Sequence, residues 1–292
     1  MEIRTQTYDQ QIELFLKSMD WIKKDLDINL SSGRANSYLK TFADWGEHGY
    51  KSPNFDFLDF MNSLFEIESF ISVYKAFQFT PKCQLQNIKS KMQKAVYGPT
   101  YLANETPQSN EARNFMFELL TASRLHLPHL LSTCILSSKS DTGVEFEGKK
   151  IWVECKRITS QKKLEKNIKV ASSQLEKQIK NSPGSLNRGL IALDLTPITI
   201  PNDEMLVGQN EADLKEKINQ LMNNTIITYN SFWQQKIGSK SKHILGFVIR
   251  LGFPAVNDSS GLLVNVSDWG IVPRNDLNSD GQRLLSNLAN TL

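Results

Sequence analysis

Cysteine is scarce. Cys83, Cys134 and Cys155 are too few and too scattered for a disulfide framework or a zinc cage. No apolar run reaches the roughly 18 residues of a transmembrane helix, so no membrane contact is expected. The opening segment Met1-Glu2-Ile3-Arg4-Thr5-Gln6 is polar and lacks the apolar core of a signal peptide. A reducing, cytoplasmic setting is the expectation. An excess of one charge sign is also missing: 34 basic and 31 acidic residues leave a net charge of +3, and no global polycation points to nucleic acid. Internal repeats and low-complexity segments are absent too. What remains is a chain of 292 residues with 40% hydrophobic and 22% charged content, enough for one large globular domain or two ordinary ones.

The distribution of charge says more than its sum. Between Lys139 and Lys180 there are 11 Lys or Arg against 6 Asp or Glu, an excess of +5 that leaves −2 for the rest of the chain. Such asymmetry fits a phosphate-facing patch, and equally a solvated, salt-bridged helix face.

Residues 1–104 read as an all-helical N-terminal region. Ile12, Phe15, Leu16, Met19 and Ile22 recur at helical spacing, with a break near Leu30-Ser31-Ser32-Gly33. A second apolar stretch runs from Phe55 to Phe77 and a shorter helix from Gln84 to Val96. Turn residues from Tyr97 to Asn110, Pro107 among them, mark a boundary. Beyond it the spacing predicts a helix from Glu111 to Leu125 and two strands around the turn-forming pair Glu147-Gly148. There follow an amphipathic helix from Lys162 to Lys180 stopped by Pro183-Gly184, a buried strand from Leu190 to Leu195, and a long helix from Ala212 to Lys236. Two last strands are expected at Ile244–Leu251 and Leu262–Val266. The expectation for residues 105–292 is an α/β domain, a mixed sheet flanked by helices.

Chemistry concentrates in the hairpin. If Glu147 and Gly148 are its two loop residues, Phe146 pairs with Lys149 and Asp141 falls opposite Glu154. Facing Cβ atoms on neighbouring strands lie about 4.5–5.5 Å apart. Alternation then puts Glu154 and Lys156 on one face, Val153 and Cys155 on the other. Two carboxylates held that close resist ionisation unless a cation sits between them. Hard oxygen donors in that number suit Mg²⁺ or Mn²⁺, which keep several waters and accept phosphate oxygens. Lys156, one strand step away, is placed to orient an attacking water or steady charge building on a phosphate.

The spacing Asp141, then Glu154-Cys155-Lys156, resembles the signature of the PD-(D/E)XK nuclease superfamily, whose fold is that of many restriction endonucleases. The resemblance covers residues 111–195, under a third of the chain. It implies a restriction-endonuclease-like fold with a metal held by Asp141, Glu154 and the Cys155 carbonyl. Glu118, in Phe115-Met116-Phe117-Glu118-Leu119-Leu120, stands where the family's preceding helix commonly supplies a Glu, and the resemblance implies that it joins the metal site directly or through a bound water. Gln174, in Ala171-Ser172-Ser173-Gln174-Leu175, matches a Gln that some branches carry on the helix after the ExK strand. Ser140 replaces the motif's Pro. The function so implied is metal-dependent phosphodiester hydrolysis, with DNA the expected substrate of an endonuclease in defence against foreign DNA or in repair. The alternative is a catalytically inactive nuclease-fold module that binds nucleic acid or protein. Cutting both strands would call for a homodimer, and the N-terminal helices are open to substrate, a second copy or a partner protein.

Arg157, Lys162, Lys163, Lys166 and Lys169 are candidates for backbone phosphate contacts, with Arg113 and Arg124 weaker ones. His126 and His129 flank the helix-breaking Pro128 with no third ligand near, and read as structural. Asp194 reads as a strand-end cap; Lys240, Lys242 and His243 as loop charges. Trp233 and Trp269 are more ordinary as core than as stacking platforms.

Overall fold

The computed structural model describes the chain except residues 1, 5, 6, 54, 107, 131, 136–140, 183, 185, 201–204 and 292. Lys139, Ser140, Pro107 and Pro183 therefore lie outside the described residues.

The helical region begins with α1 (Tyr8–Lys24), entered through a capping box in which Thr7 and Gln10 satisfy each other's backbone N–H groups. Next come α2 (Arg34–His48), α3 (Phe57–Phe77) and α4 (Gln86–Ala95). α3 is apolar on nearly every side, because α1, α2 and the following α5 (Glu111–Leu125) all pack against it. Its Phe60, Leu64, Ile67, Phe70, Ile71 and Phe77 are buried. Burying each such side chain stabilises the fold by roughly 1.5–3 kcal/mol.

The sheet opens with β1 (Glu2–Arg4) and, after α5, takes in β2 (Thr133–Cys134), β3 (Thr142–Phe146) and β4 (Lys149–Arg157). A crossover through α6 (Gln161–Asn181) leads to β5 (Asn187–Asp194). Then follow the short α7 (Thr196–Thr199), β6 (Leu206–Gly208), α8 (Glu211–Gly238), the long pair β7 (Ile244–Asn257) and β8 (Leu262–Pro273), and α9 (Ser279–Ala289). The strand order is β1-β8-β7-β5-β4-β3-β2, with β6 beside β7. β4, β5 and β7 run parallel, and β6 joins β7 in parallel too. The pairs of β1 with β8, β8 with β7, β4 with β3 and β3 with β2 are antiparallel, so the sheet is mixed and the fold is α/β. Leu164, Ile168 and Leu175 of α6 pack with Leu214, Ile218 and Trp233 of α8 on one face. Phe117 and Leu125 of α5 pack with Leu284 and Leu288 of α9 on the other. Among the described residues no helix is long and apolar enough to cross a membrane.

Two features differ from the expected all-helical region preceding a separate sheet domain. β1 completes the sheet by pairing with β8. The core of α1–α4 also continues without a break into Met116, Leu119 and Leu120 of α5. The helical region is a third layer on the sheet's α5 face. The last two strands run past their expected ends: β7 continues through Pro254, which pairs opposite Asn265, and β8 continues beyond Val266 to pair back to Gly246 at the start of β7.

Candidate metal and phosphate site

The hairpin turn decides the geometry. Glu147 and Gly148 both have positive φ, 49° and 70°, the left-handed pair of a tight hairpin turn. Phe146 pairs with Lys149 and Thr142 with Val153, and one further step sets Asp141 against Glu154. Trp152 packs with α6, whereas Val153 and Cys155 pack with α5, so Glu154 and Lys156 point to the α6 side.

Lys156 Nζ sits between the two acids, 3.2 Å from Asp141 Oδ2 and 3.3 Å from Glu154 Oε2. Asp141 Oδ2 also accepts the Cys155 N–H at 2.8 Å, which fixes the carboxylate against the neighbouring strand. This N–H bond of Cys155 was not anticipated; the sequence reading had singled out its carbonyl. Glu118, from α5 on the other face, reaches the same strand end. Its Oε2 pairs with Lys91 Nζ, and that ammonium also donates to the Asp141 carbonyl oxygen.

Lys91 is the residue that sequence reasoning missed. It lies on α4, in a stretch read only as a short helix, and enters because α4 packs on α5. Its approach depends on tertiary packing and carries no local signal.

The electrostatics are those of acids short of positive charge. Burial, then the Asp141 charge, pushes Glu154 up to about 8, with Lys156 offsetting only part of the rise. Glu118 is pushed up to about 7 by burial and Asp141, against the pull of Lys91. Burial works against the Lys156 ammonium, but Asp141 and Glu154 outweigh it and hold its pKa above the ordinary lysine range. Lys156 is therefore a fixed cation and no free base near neutral pH.

Among the described residues no three His, Cys, Asp or Glu side chains gather into a metal-holding group. The donor set still fits a hard divalent cation. Magnesium commonly takes one or two carboxylates and fills its shell with water and phosphate, and a buried Glu154 that resists ionisation beside Asp141 is relieved by such an ion.

The other candidates separate. Lys162, Lys163, Lys166 and Lys169 are exposed on α6, and residues 162, 166 and 169 share one helical face. Arg157 does not join them. Its guanidinium is buried, bound to Glu105 by bonds of 2.7 and 3.1 Å and to Asp194 at 3.4 Å, so it serves an interior ion-pair network instead of a phosphate-facing surface. Gln174 is exposed, thirteen residues into α6 and so about 20 Å along its axis from its start at Gln161. The helix runs away from the Lys156 end of β4, and the adjacent Leu175 lies over Gly189 at the start of β5. The structure does not bring Gln174 to the acids.

His126 stacks on Phe77 at 4.9 Å and accepts the Cys134 N–H, a structural role. Asp194 caps its strand end through Thr196 and adds ion pairs to Arg157 and Arg250. Trp233 is core, and Trp269 stacks on Phe117. Comparison with family models, curated proteins and solved structures finds no match to this chain, so the functional reading stands on the geometry of its own residues.

Proposed function

We propose that the chain is a divalent-metal-dependent nuclease of the PD-(D/E)XK kind, acting on DNA as an endonuclease. The observation that carries the reading is the buried Glu154 beside the half-buried Asp141, with a lysine bridging the two acids at the same strand end. A structural hairpin gains nothing from a buried Glu154 carboxyl that resists ionisation, whereas a phosphodiesterase needs acids there. Asp141 and Glu154 would hold Mg²⁺ or Mn²⁺, which when bound supplies positive charge to the phosphate and an acidified water. Lys156, its charged form favoured by the two acids, positions the attacking water and balances charge as it builds on the phosphate. Glu118, with a pKa near neutrality, exchanges a proton with water at the site's edge. The exposed lysines of α6 supply backbone phosphate contacts. A homodimer would bring the two sites that a double-strand cut needs, and a role in defence or repair follows by analogy alone.

Supercoiled plasmid tests the reading. Purified protein should nick or linearise it with Mn²⁺ or Mg²⁺ and not with EDTA. Lys156→Ala should lower the rate by about 10²–10³-fold, as loss of a preorganised charge partner does. Equal rates for wild type and variant would defeat the nuclease reading. Binding without cutting would assign the non-catalytic alternative.

A further inference from the structure

A second charged cluster lies near the carboxyl ends of β4 and β5, on the α5 side, where the helical layer meets the sheet. Its residues come from distant parts of the chain. Arg34 of α2 donates to Glu66 Oε2 at 2.7 Å and to the Ala95 carbonyl. Arg113 of α5 donates to Glu66 Oε1 at 2.8 Å and to the Thr100 carbonyl. Arg250 of β7 reaches Asp194 at 3.3 Å, and Arg157 joins Asp194 to Glu105. The four arginines line one cavity of about 50 Å³ together with Glu66 and Asp194. Four guanidinium charges thus face Glu66 and Asp194 in the cavity wall, with Glu105 on Arg157 and the buried Glu68 beside Arg250 in the adjoining cleft.

The hydrogen-bond accounting of these arginines is incomplete. Arg34 Nη2, Arg113 Nη1 and Arg250 Nε are buried and have no partner. All three belong to side chains at least nine-tenths buried. A buried donor left unmade costs about 1–3 kcal/mol, more when charged. The cluster therefore offers donors and positive charge together, the chemistry that recognises an oxyanion. The glycine at position 252 belongs to the same wall: a Cβ there would collide with the Arg250 guanidinium.

We propose that this cavity is a binding site for a phosphate group, a tetrahedral oxyanion that supplies the missing acceptors. The volume fits, since a single water needs roughly 10–15 Å³ and a phosphate displaces a few waters. A nucleoside does not fit inside. An adjoining cavity of about 270 Å³ shares Leu102, Arg157 and Pro197 with the first and adds Thr159, Ser160 and Lys163. The phosphate is therefore either the free ion or the terminal group of a nucleotide whose nucleoside rests in the outer cavity. Glu66 is held by the same groups: burial would raise its carboxyl, yet its ion pairs with Arg113 and Arg34 reverse this and hold it below the ordinary range. The site is independent of the nuclease reading.

The test titrates wild-type protein with sodium phosphate and with thymidine 5′-monophosphate at constant ionic strength, chloride serving as reference, and reads melting temperature and binding heat. Phosphate at 100 times its Kd should raise the melting temperature by several degrees. Arg113→Lys and Arg250→Lys, each checked for cooperative unfolding, should weaken binding at least tenfold. Lys156→Ala should bind like wild type whether or not it cuts DNA. Tighter binding of the nucleotide than of phosphate assigns a strand end as the source, and equal or weaker binding the free ion. A melting temperature that responds to phosphate and chloride alike would overturn the proposal on wild type alone. Undiminished binding in both arginine variants would overturn it as well.

Discussion

The two charged clusters of this protein meet at the end of β4, where Glu154 and Lys156 face one side of the sheet and Arg157 the other, and they have opposite electrostatic needs. At one, Asp141, Glu154 and Glu118 share Lys156 and Lys91, and both glutamates are pushed up towards or past neutrality. At the other, Glu66 lies between Arg34 and Arg113 and is held below the usual carboxylate range. Burial is common to both, so burial does not decide the outcome. The ratio of guanidinium to carboxylate does. Lysines reach the first site on flexible stems as point charges. Arginines at the second bind in fixed, forked geometry to partners on separate layers. One cluster is arranged to accept a cation, the other an anion.

The largest expected effect separates structural from functional charge. Glu66→Ala leaves Arg34 and Arg113 buried without their carboxylate and should destabilise the protein by about 3–5 kcal/mol in denaturant unfolding. Asp141→Asn should cost much less stability while removing cleavage. If Glu66→Ala unfolds at the wild-type midpoint, the second cluster is not the tie between layers described above.

The next effect is a difference of sign in pH dependence. Glu154 and Glu118 have folded pKa values raised from 4.5, so the folded chain holds protons that the unfolded chain has released. Their contribution is fully present below about 4.5 and is lost as pH rises to about 8. Glu66 does the reverse: its folded pKa is lowered, so its contribution is present above 4.5 and lost as pH falls through the folded value. In EDTA, stability should fall by a few kcal/mol at most between pH 6 and pH 8.5, and Glu154→Gln should flatten most of that slope. A wild-type stability that rises over this interval would contradict the buried acid pair.

Much of the first cluster was legible in sequence and almost none of the second. The hairpin is local: Glu147-Gly148 sets the turn, and alternation carries Asp141 to Glu154 without help from distant chain. The helices with capping residues or strong apolar spacing, α1, α3, α5, α6 and α8, were visible for the same reason. α2 was not, because it begins after Gly33 with no side-chain cap and mixes Tyr38, Phe42 and Trp45 with polar residues. Lys91 and the four arginines, spread from position 34 to position 250, meet only through tertiary packing. Arg157 shows the error that follows: a basic residue beside the motif looks like a phosphate contact until Glu105 and Asp194 close around it.

The smallest effects sharpen that distinction at the surface. Lys162→Ala and Lys166→Ala should each reduce the salt dependence of DNA affinity by about 0.7–0.9 in log–log slope. Arg157→Ala should lower stability and leave the slope unchanged. Gln174→Ala should alter stability by no more than about 0.5 kcal/mol, as an exposed substitution does. A Gln174 variant that abolished cleavage would show that α6 takes another position with DNA bound.

The central claim is that Asp141 and Glu154 form a cation site in which Glu154 holds a proton until the cation arrives. Calorimetric titration of Mn²⁺ at pH 7, in buffers of different ionisation enthalpy, measures it directly through the protons released. Wild type should bind Mn²⁺ and release roughly one proton per ion, because a ligand must be deprotonated to bind, and Glu154→Gln should bind weakly and release less. Absence of Mn²⁺ binding, or the same proton release from wild type and Glu154→Gln, would contradict the account.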